Sequence, residues 1–298
     1  MCATRPKLAT GDGRTIAFAG GCVGVAYETE DERSIVDFLF GDLGESLNEL
    51  PKIELGVTIA AAAREFTLSL GGERVWLGRT LGSLANRVLE EAARQLSEPC
   101  DSGLLLHAAA VSREGRTIVL PGATGAGKTT LCAWLVAKGY GYLTDELVFL
   151  PTGGRPMECF TRPLNVKQNG TSCIESALGR PLGDQPLETG RGGFLIPHRL
   201  LRAQHDPECG PPALFLFPRY EKGVELSVNA TSKADSGRRL MESLMNARNL
   251  DRHGFPEITR IARTVTGLTL TYGDFDQLDG RLDPLLHEAL GVAPGVDS

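Results

Sequence analysis

The apolar pattern of the first third predicts short β-strands followed by one amphipathic helix. The helix segment is "TLGSLANRVLEEAARQL", in which apolar residues recur every three or four positions. Thr80 suits its N-cap, whereas Gly82 in the first turn is unfavourable in a helix. Residues 1 to about 100 are therefore expected to form a small α+β domain, which ends in the linker "SEPCDSG". The predicted strands are "RTIAFAG", "GVAYE", "IELGVTIAA", "EFTLSL" and "RVWLG", the last two joined as a hairpin across "GGE".

The pattern changes after the linker to longer apolar strands that alternate with helices. "LLLHAAAV" (104–111) is an apolar strand interrupted by His107, and "TIVL" runs directly into a glycine-rich loop. The helix "TLCAWLVAK" follows and is expected to stop at Gly139, before the strand "YLTDELVFL". A strand, loop, helix and strand in this order form a βαβ unit, which favours a parallel or mixed sheet.

The remainder of the chain continues this α/β pattern. Residues 179–193 are rich in Gly, Pro and charge and are expected to form a mobile loop. "ALFLFPRY" and "GLTLTYG" are predicted strands, and "SKADSGRRLMESLMNA" and "EITRIARTV" are predicted helices. Residues 101–298 are therefore assigned to one α/β domain with a mixed sheet.

The glycine-rich loop matches the phosphate-binding pattern GxxxxGK[ST] in full. Small residues allow successive backbone N–H groups to converge on phosphates, and the positive end of the following helix faces the same anion. Lys128, taken as an exposed loop residue, is expected to reach the β- and γ-phosphates, and the Thr129 hydroxyl is expected to bind Mg²⁺. The predicted nucleotide-binding residues are Gly122, Ala123, Thr124, Gly125, Ala126, Gly127, Lys128, Thr129 and Thr130.

Asp145 and Glu146 follow the helix and lie where a parallel sheet presents its active edge. A carboxylate there would bind Mg²⁺. Two adjacent residues of an extended strand point to opposite sides, so only one acid would face the phosphate unless the chain turns. Solvated turn acids are the alternative.

Composition narrows the class of protein. The chain has 298 residues, a formal net charge of −6 and no block of Lys and Arg, which disfavours nucleic-acid and anionic-membrane partners. No apolar run approaches a membrane span, and the first residues lack the apolar core of a signal peptide. The seven scattered cysteines suit a reducing cytoplasm, so a cytoplasmic location is expected.

"LLLHAAAV", "LPGATGAGKTTL" and "GYGYLTDELV" together resemble the HPr kinase/phosphorylase family, whose P-loop core has a His before the phosphate loop and an acid pair after it. "FLFPRYEKG" and the helix after it resemble the HPr-kinase-related proteins of peptide-modification clusters, including lasso-peptide kinases. The resemblance spans roughly residues 103 to 275. It implies a core like that of phosphoenolpyruvate carboxykinase and transfer of a phosphoryl group from ATP-Mg²⁺ to a serine or threonine hydroxyl of a peptide or small protein.

The resemblance also implies roles for individual residues. Lys128 and Thr129 would hold phosphate and metal, Asp145 would be the catalytic base, Glu146 would be a metal ligand, and His107 would match the family histidine. Glu146 replaces an Asp of the family, which leaves the division of labour between the acids open. The long glycine-bearing signature of the bifunctional enzymes has no clear copy here, so neither phosphorylase activity nor HPr as a substrate is expected.

Three further cations are candidates. Arg219, just past a predicted strand, would stabilise the negative charge on the transferred phosphoryl group. Arg162 and Lys167 would neutralise phosphate or an acidic substrate group. Surface salt bridges explain each of them equally well.

Two alternative functions remain open from the sequence. One is a small-molecule kinase or carboxykinase-like enzyme on the same core. The other is a nucleotide-dependent switch or ATPase without hydroxyl transfer, although the base-reading N/TKxD motif of GTPases does not occur. The acceptor cannot be read from the sequence, and a homo-oligomer is left open.

Overall fold

The computed structural model describes residues 12–43, 51–60, 63–153, 155–190, 192–202 and 209–292. Within them, three β-sheets and seven α-helices form a mixed α/β protein, as the sequence predicts. The strands are β1 Asp12–Phe18, β2 Gly21–Tyr27, β3 Pro51–Ala60, β4 Ala63–Leu70, β5 Glu73–Gly78, β6 Gly103–Arg113, β7 Arg116–Pro121, β8 Gly141–Thr144, β9 Leu147–Pro151, β10 Glu158–Cys159, β11 Leu164–Lys167, β12 Leu187–Thr189, β13 Gly193–Ile196, β14 Pro212–Tyr220, β15 Ser227–Ala230 and β16 Thr266–Tyr272. The α-helices are α1 Glu30–Phe40, α2 Leu81–Ser97, α3 Lys128–Ala137, α4 Gln168–Leu178, α5 Lys233–Ser243, α6 Phe255–Thr264 and α7 Leu282–Leu290.

The first sheet has the order β1-β2-β3-β4-β5, with a parallel pairing of β2 and β3 and antiparallel pairings elsewhere. Helix α1 has no counterpart among the predicted elements. It begins with a capping box in which the Thr29 side chain accepts from the Glu32 amide and the Glu32 carboxylate accepts from the Thr29 amide. The spacing Thr-x-x-Glu is a readable start signal for a helix.

Helix α2 is confirmed, and its Gly82 has a packing reason. A Cβ atom at this position would lie 1.7 Å from the Glu188 carbonyl oxygen in β12. The helix therefore approaches a strand backbone so closely that only glycine fits. Thr80 caps the helix by accepting from the Ser83 amide.

The central sheet is mixed. Its order is β10-β9-β6-β7-β14-β16-β15, and β8 pairs with the same β6. Strand β14 is parallel to both β7 and β16, whereas β6 is antiparallel to β7, β8 and β9. Strands β11, β13 and β12 form a small antiparallel sheet, so part of the predicted loop 179–193 is strand.

Side chains of β6 alternate between the two faces of the central sheet, as in any strand. Leu104, Leu106, Ala108 and Ala110 pack with residues of α5 and α6, whereas Ala109 and Val111 pack with residues of α3. Leu105 belongs to the same core cluster as the N-terminal sheet and α2. Residues on both sides of position 100 thus share one core, and the division into two domains near that position stays a prediction.

Two further findings concern the described residues only. Among them, no helix combines the length and the apolarity that crossing a membrane requires. The six cysteines within them are free thiols.

Candidate functional site

The glycine-rich loop at residues 122–129, named the phosphate loop here after the pattern that it matches, lies between a strand (β7) and a helix (α3), the order that the sequence predicts. Gly125 and Gly127 adopt φ values of +92° and +91°, a region that favours glycine. Gly127 occupies the N-cap of α3 and makes no side-chain cap, so the first amides of this ten-residue helix are left for an anion.

Lys128 folds back over the loop instead of extending into solvent. Its Nζ donates to the carbonyl oxygens of Gly122 at 2.7 Å and Ala123 at 3.1 Å, and the residue is only 6% exposed. The expectation of an exposed lysine is therefore wrong. Burial lowers the pKa of Lys128, while the charges of Glu146 and Asp145 oppose that shift.

The acid pair lies level with the phosphate loop across the sheet. Pro121, the last residue of β7, pairs with Ala108 of β6, and the Ala108 amide donates to the Glu146 carbonyl at 3.0 Å on the other edge of β6. Neighbouring strands are about 4.8 Å apart, so the acid pair and the start of the loop are roughly 10 Å apart at the backbone.

The chain bends at the acid pair, which resolves the difficulty that adjacent strand residues face opposite sides. The Thr144 hydroxyl accepts from the amides of Glu146 at 3.2 Å and Leu147 at 3.4 Å, and it donates to the Phe160 carbonyl. A hydroxyl that accepts from amides two and three residues ahead turns the backbone. The predicted single strand is therefore two strands, β8 and β9, with the acids between them.

Arg162 joins the two acids. Its Nη2 lies 3.1 Å from Asp145 Oδ1 and 2.7 Å from Glu146 Oε2. Burial alone would lower the pKa of Arg162, but both carboxylates raise it, so the guanidinium is charged. Arg162, predicted to neutralise phosphate or an acidic substrate group, contacts Asp145 and Glu146 instead.

Asp145 is enclosed by donors. Its side chain is 1% exposed, and it contacts the Tyr142 hydroxyl at 3.4 Å, the Asn165 amide at 3.0 Å and the Thr129 hydroxyl. Burial raises the pKa of Asp145, and the charge of Glu146 adds to the shift, while Arg162 and the hydrogen bonds reduce it. The first acid is therefore the one that contacts Thr129, the threonine of the loop pattern.

Glu146 is more accessible, with 34% of its side chain exposed. His107 Nδ1 lies 3.5 Å from its Oε1, so the predicted histidine is part of the site. Burial would raise the pKa of Glu146, but Arg162, His107 and Lys128 outweigh burial and lower it to about 2.

Two of the predicted cations lie apart from this cluster. Arg219 is 68% exposed and pairs with Glu221 at 3.0 Å, which matches the surface salt bridge that the sequence left as its alternative. Lys167 is exposed at the end of β11. Thr130 faces α4, since a Cβ at Gly170 would lie 3.0 Å from its hydroxyl.

Comparisons with known proteins do not assign the chain to a family. No protein-family model matches the chain, and a search of curated proteins finds no match. One solved structure, the HPr(Ser) kinase/phosphatase from Coxiella burnetii, is similar over 63% of this chain and 87% of that chain, with 12% identity and a TM-score of 0.28. A likeness this low carries no functional argument.

Proposed function

We propose that the protein is an ATP-dependent kinase that transfers the γ-phosphoryl group to a hydroxyl group. The observation that carries the proposal is the acid pair with Arg162, which stands beside a complete phosphate loop. A phosphate loop alone fits any nucleotide-binding protein, but a second, partly exposed carboxylate next to it adds a group that accepts a proton.

The phosphate end of ATP fits the loop. The uncapped amides at the start of α3 would bind phosphate oxygens, and Lys128 would exchange the carbonyls of Gly122 and Ala123 for the β- and γ-phosphates. The lysine is thus already held over the position that the phosphates would take.

Thr129 and Asp145 fit Mg²⁺, because a hydroxyl and a buried carboxylate already meet beside the loop. The described residues contain no group of three or more His, Cys, Asp or Glu side chains that would enclose a metal. Mg²⁺ suits this arrangement, since it is usually bound through one or two carboxylates together with substrate phosphates and water. The ion would neutralise phosphate charge when bound.

The geometry favours Glu146 as the base and Asp145 as the metal ligand, the opposite of the division inferred from the resemblance. The oxygens of Asp145 already have four partners and its side chain is closed to an acceptor, so Asp145 would serve the metal through the Thr129 hydroxyl and water. The pKa shifts favour Asp145 as the base instead, because the pKa of Asp145 is raised and the pKa of Glu146 is lowered. We give more weight to the accessibility of the carboxylate, because a base must first reach the proton that it takes. On this criterion Glu146 is the base.

Glu146 would take the proton of the acceptor hydroxyl while the oxygen attacks the γ-phosphorus. The bond between that phosphorus and the β–γ bridging oxygen breaks, and ADP leaves with the electron pair. Each Glu146 oxygen has a second lone pair, so its contacts with Arg162 and His107 need not be broken. His107 would orient the carboxylate.

We further propose that the acceptor is a serine-type or threonine-type hydroxyl of a peptide or small protein, including a ribosomal peptide such as a lasso peptide. This part rests on the sequence resemblance alone. The N-terminal part would position that substrate. Asn86 of α2 supports this idea, since its side chain accepts from the Asn165 side chain at 3.3 Å, and the backbone amide of the same Asn165 donates to Asp145.

The test is incubation of the enzyme with γ-labelled ATP, Mg²⁺ and a library of peptides that contain Ser or Thr. We expect label in a peptide, at a site that mass spectrometry assigns to a hydroxyl. The matched control is Lys128→Met. Release of free phosphate alone, across the whole library, would contradict the kinase and favour an ATPase.

A further inference from the structure

A cavity of about 200 Å³ lies between α3, α4 and the turn after β16. This volume is below the roughly 300–1,000 Å³ of sites that enclose a whole drug-sized ligand. The cavity would therefore admit one ring of a larger molecule. Its lining includes Trp134, Lys138, Ser176, Phe275 and three carboxylates, those of Asp274, Asp276 and Asp279.

The cavity lies further along the helix that begins at the phosphate loop. Thr130, in the first turn of α3, faces Gly170 at the start of α4. Trp134 lies one helical turn further on the same face of α3, about 6 Å along the axis. For a molecule with its phosphates at the loop, the cavity is therefore the nearest recess further along α3, past the contact between Thr130 and Gly170.

An aromatic row joins the same two places. The Tyr272 hydroxyl would lie 2.9 Å from a Cβ at Gly127 in the loop. The Tyr272 ring is 5.2 Å from Phe275, and Phe275 is 6.4 Å from Trp134 at the cavity wall. The Tyr272 hydroxyl is buried without a hydrogen-bond partner, although a buried hydroxyl normally has one. A ligand at the loop would supply that partner.

The residues that line the cavity indicate which kind of ring it would bind. Three carboxylates against one lysine, which already pairs with Asp279 at 2.8 Å, repel a phosphate and accept N–H groups. Phe275 is half-buried and supplies an edge or a face on which a flat ring packs, and the buried Trp134 forms the wall behind it. An aromatic ring with an amino group meets both requirements.

We propose that this cavity binds the nucleobase of the phosphoryl donor, and that its carboxylates accept from the 6-amino group of adenine. The inference rests on the proposed function, because it takes the phosphate loop to bind the same molecule. Asp276 is the acceptor with the best access, since it is exposed and lines the cavity. Asp274 accepts from the Asp276 amide at 2.9 Å and holds the turn.

The protein has two tryptophans, so Trp76→Phe leaves Trp134 as the only indole reporter. This variant would be titrated with ATP, with purine riboside triphosphate, which lacks the 6-amino group, and with inorganic tripolyphosphate. We expect ATP to quench Trp134 fluorescence and to bind about tenfold more tightly than purine riboside triphosphate. Tripolyphosphate is expected to bind, by calorimetry, without changing the emission.

Two substitutions in the Trp76→Phe background complete the test. Ser176→Phe fills the cavity and should lower ATP affinity at least tenfold, whereas Asp276→Asn should abolish the preference for the amino group. Both should leave tripolyphosphate affinity unchanged, which also shows that they fold. ATP affinity that neither substitution alters would overturn the cavity but not the phosphate loop. Failure of all three ligands to bind the Trp76→Phe protein would overturn both proposals.

Discussion

Replacement of Arg162 by Met should destabilise the protein more than the loss of any surface ion pair. The guanidinium is 6% exposed and contacts two carboxylates, one of which is 1% exposed. Removal of one partner of a buried ion pair costs about 3–5 kcal/mol, because the remaining charge is buried without compensation. Asp145 keeps its contacts with Asn165, Thr129 and Tyr142, so we expect the lower end, about 3 kcal/mol.

The assay is thermal or urea unfolding of wild type and variant, with Arg260→Met as the matched control. Arg260 pairs with Glu257 on the surface of α6 and is 62% exposed. Exposed pairs contribute about 0–1 kcal/mol, so the control should change stability little. The substitution Asp145→Asn in the Arg162→Met background should recover part of the loss, since it removes the buried charge.

The loss should also depend on pH. Without Arg162, the pKa of Asp145 rises further above its ordinary value, because the remaining shift is dominated by burial. A carboxyl whose folded pKa is raised stabilises the fold below its unfolded pKa and loses that contribution as pH rises through the folded pKa. The difference between wild type and Arg162→Met should therefore be smallest in acid and grow toward neutral pH. A loss below about 1 kcal/mol at neutral pH, or the same loss at pH 4 and pH 8, would refute the assignment of a buried charged cluster.

Three further predictions concern the loop, the helix α2 and the pH dependence of activity. Lys128→Met should abolish measurable ATP binding in calorimetry and also lower the melting temperature slightly, because two partly buried hydrogen bonds are lost. ATP affinity equal to that of wild type would show that the loop does not bind the nucleotide. Gly82→Ala should destabilise the protein by about 1–3 kcal/mol through its clash with the Glu188 carbonyl. Gly237→Ala in α5, whose Cβ would meet only Ala262 at 3.7 Å, should stabilise it by about 0.5–1 kcal/mol. If urea unfolding showed that both substitutions change the free energy of unfolding in the same direction, this packing would be contradicted. The rate of phosphoryl transfer should fall as pH drops through a pKa above the ordinary aspartate value of 3.8. The reason is that burial raises the pKa of Asp145, and protonation of Asp145 removes its charge from the metal site. A fall in rate only near pH 2, the approximate pKa of Glu146, would contradict the metal role of Asp145.

Local signals were sufficient for much of the fold. The period-two runs located the principal sheet strands, and the three-four spacing with Thr80 located α2. Helix α1 carried a readable capping box at Thr29 and Glu32 that the strand pattern around it obscured. Strand β12 was hidden because a three-residue strand between Pro186 and Gly190 has no period to read.

The candidate site was predictable where its residues are close in the chain. The loop, His107 and the acid pair come from adjacent strands and meet because β6 lies between β7 and β9. The bend at Thr144 was not predictable, since it depends on a hydroxyl bond to Phe160 across the strand pair. The role of Arg162 was equally hidden, because its contact with Asp145 and Glu146 is set by tertiary structure across sixteen and seventeen residues of chain.

The central claim is that Glu146 accepts the proton of an acceptor hydroxyl while Asp145 with Thr129 serves the metal. It is tested most directly by the rate of label transfer from γ-labelled ATP to a peptide, measured across a Mg²⁺ titration for Glu146→Gln and Asp145→Asn. We predict that Glu146→Gln lowers transfer by roughly 10² or more at every Mg²⁺ concentration, with ATP affinity unchanged. Asp145→Asn should raise the Mg²⁺ concentration for half-maximal rate about tenfold or more. The reverse pattern, in which Asp145→Asn abolishes transfer at saturating Mg²⁺ and Glu146→Gln merely raises the Mg²⁺ requirement, would contradict the account.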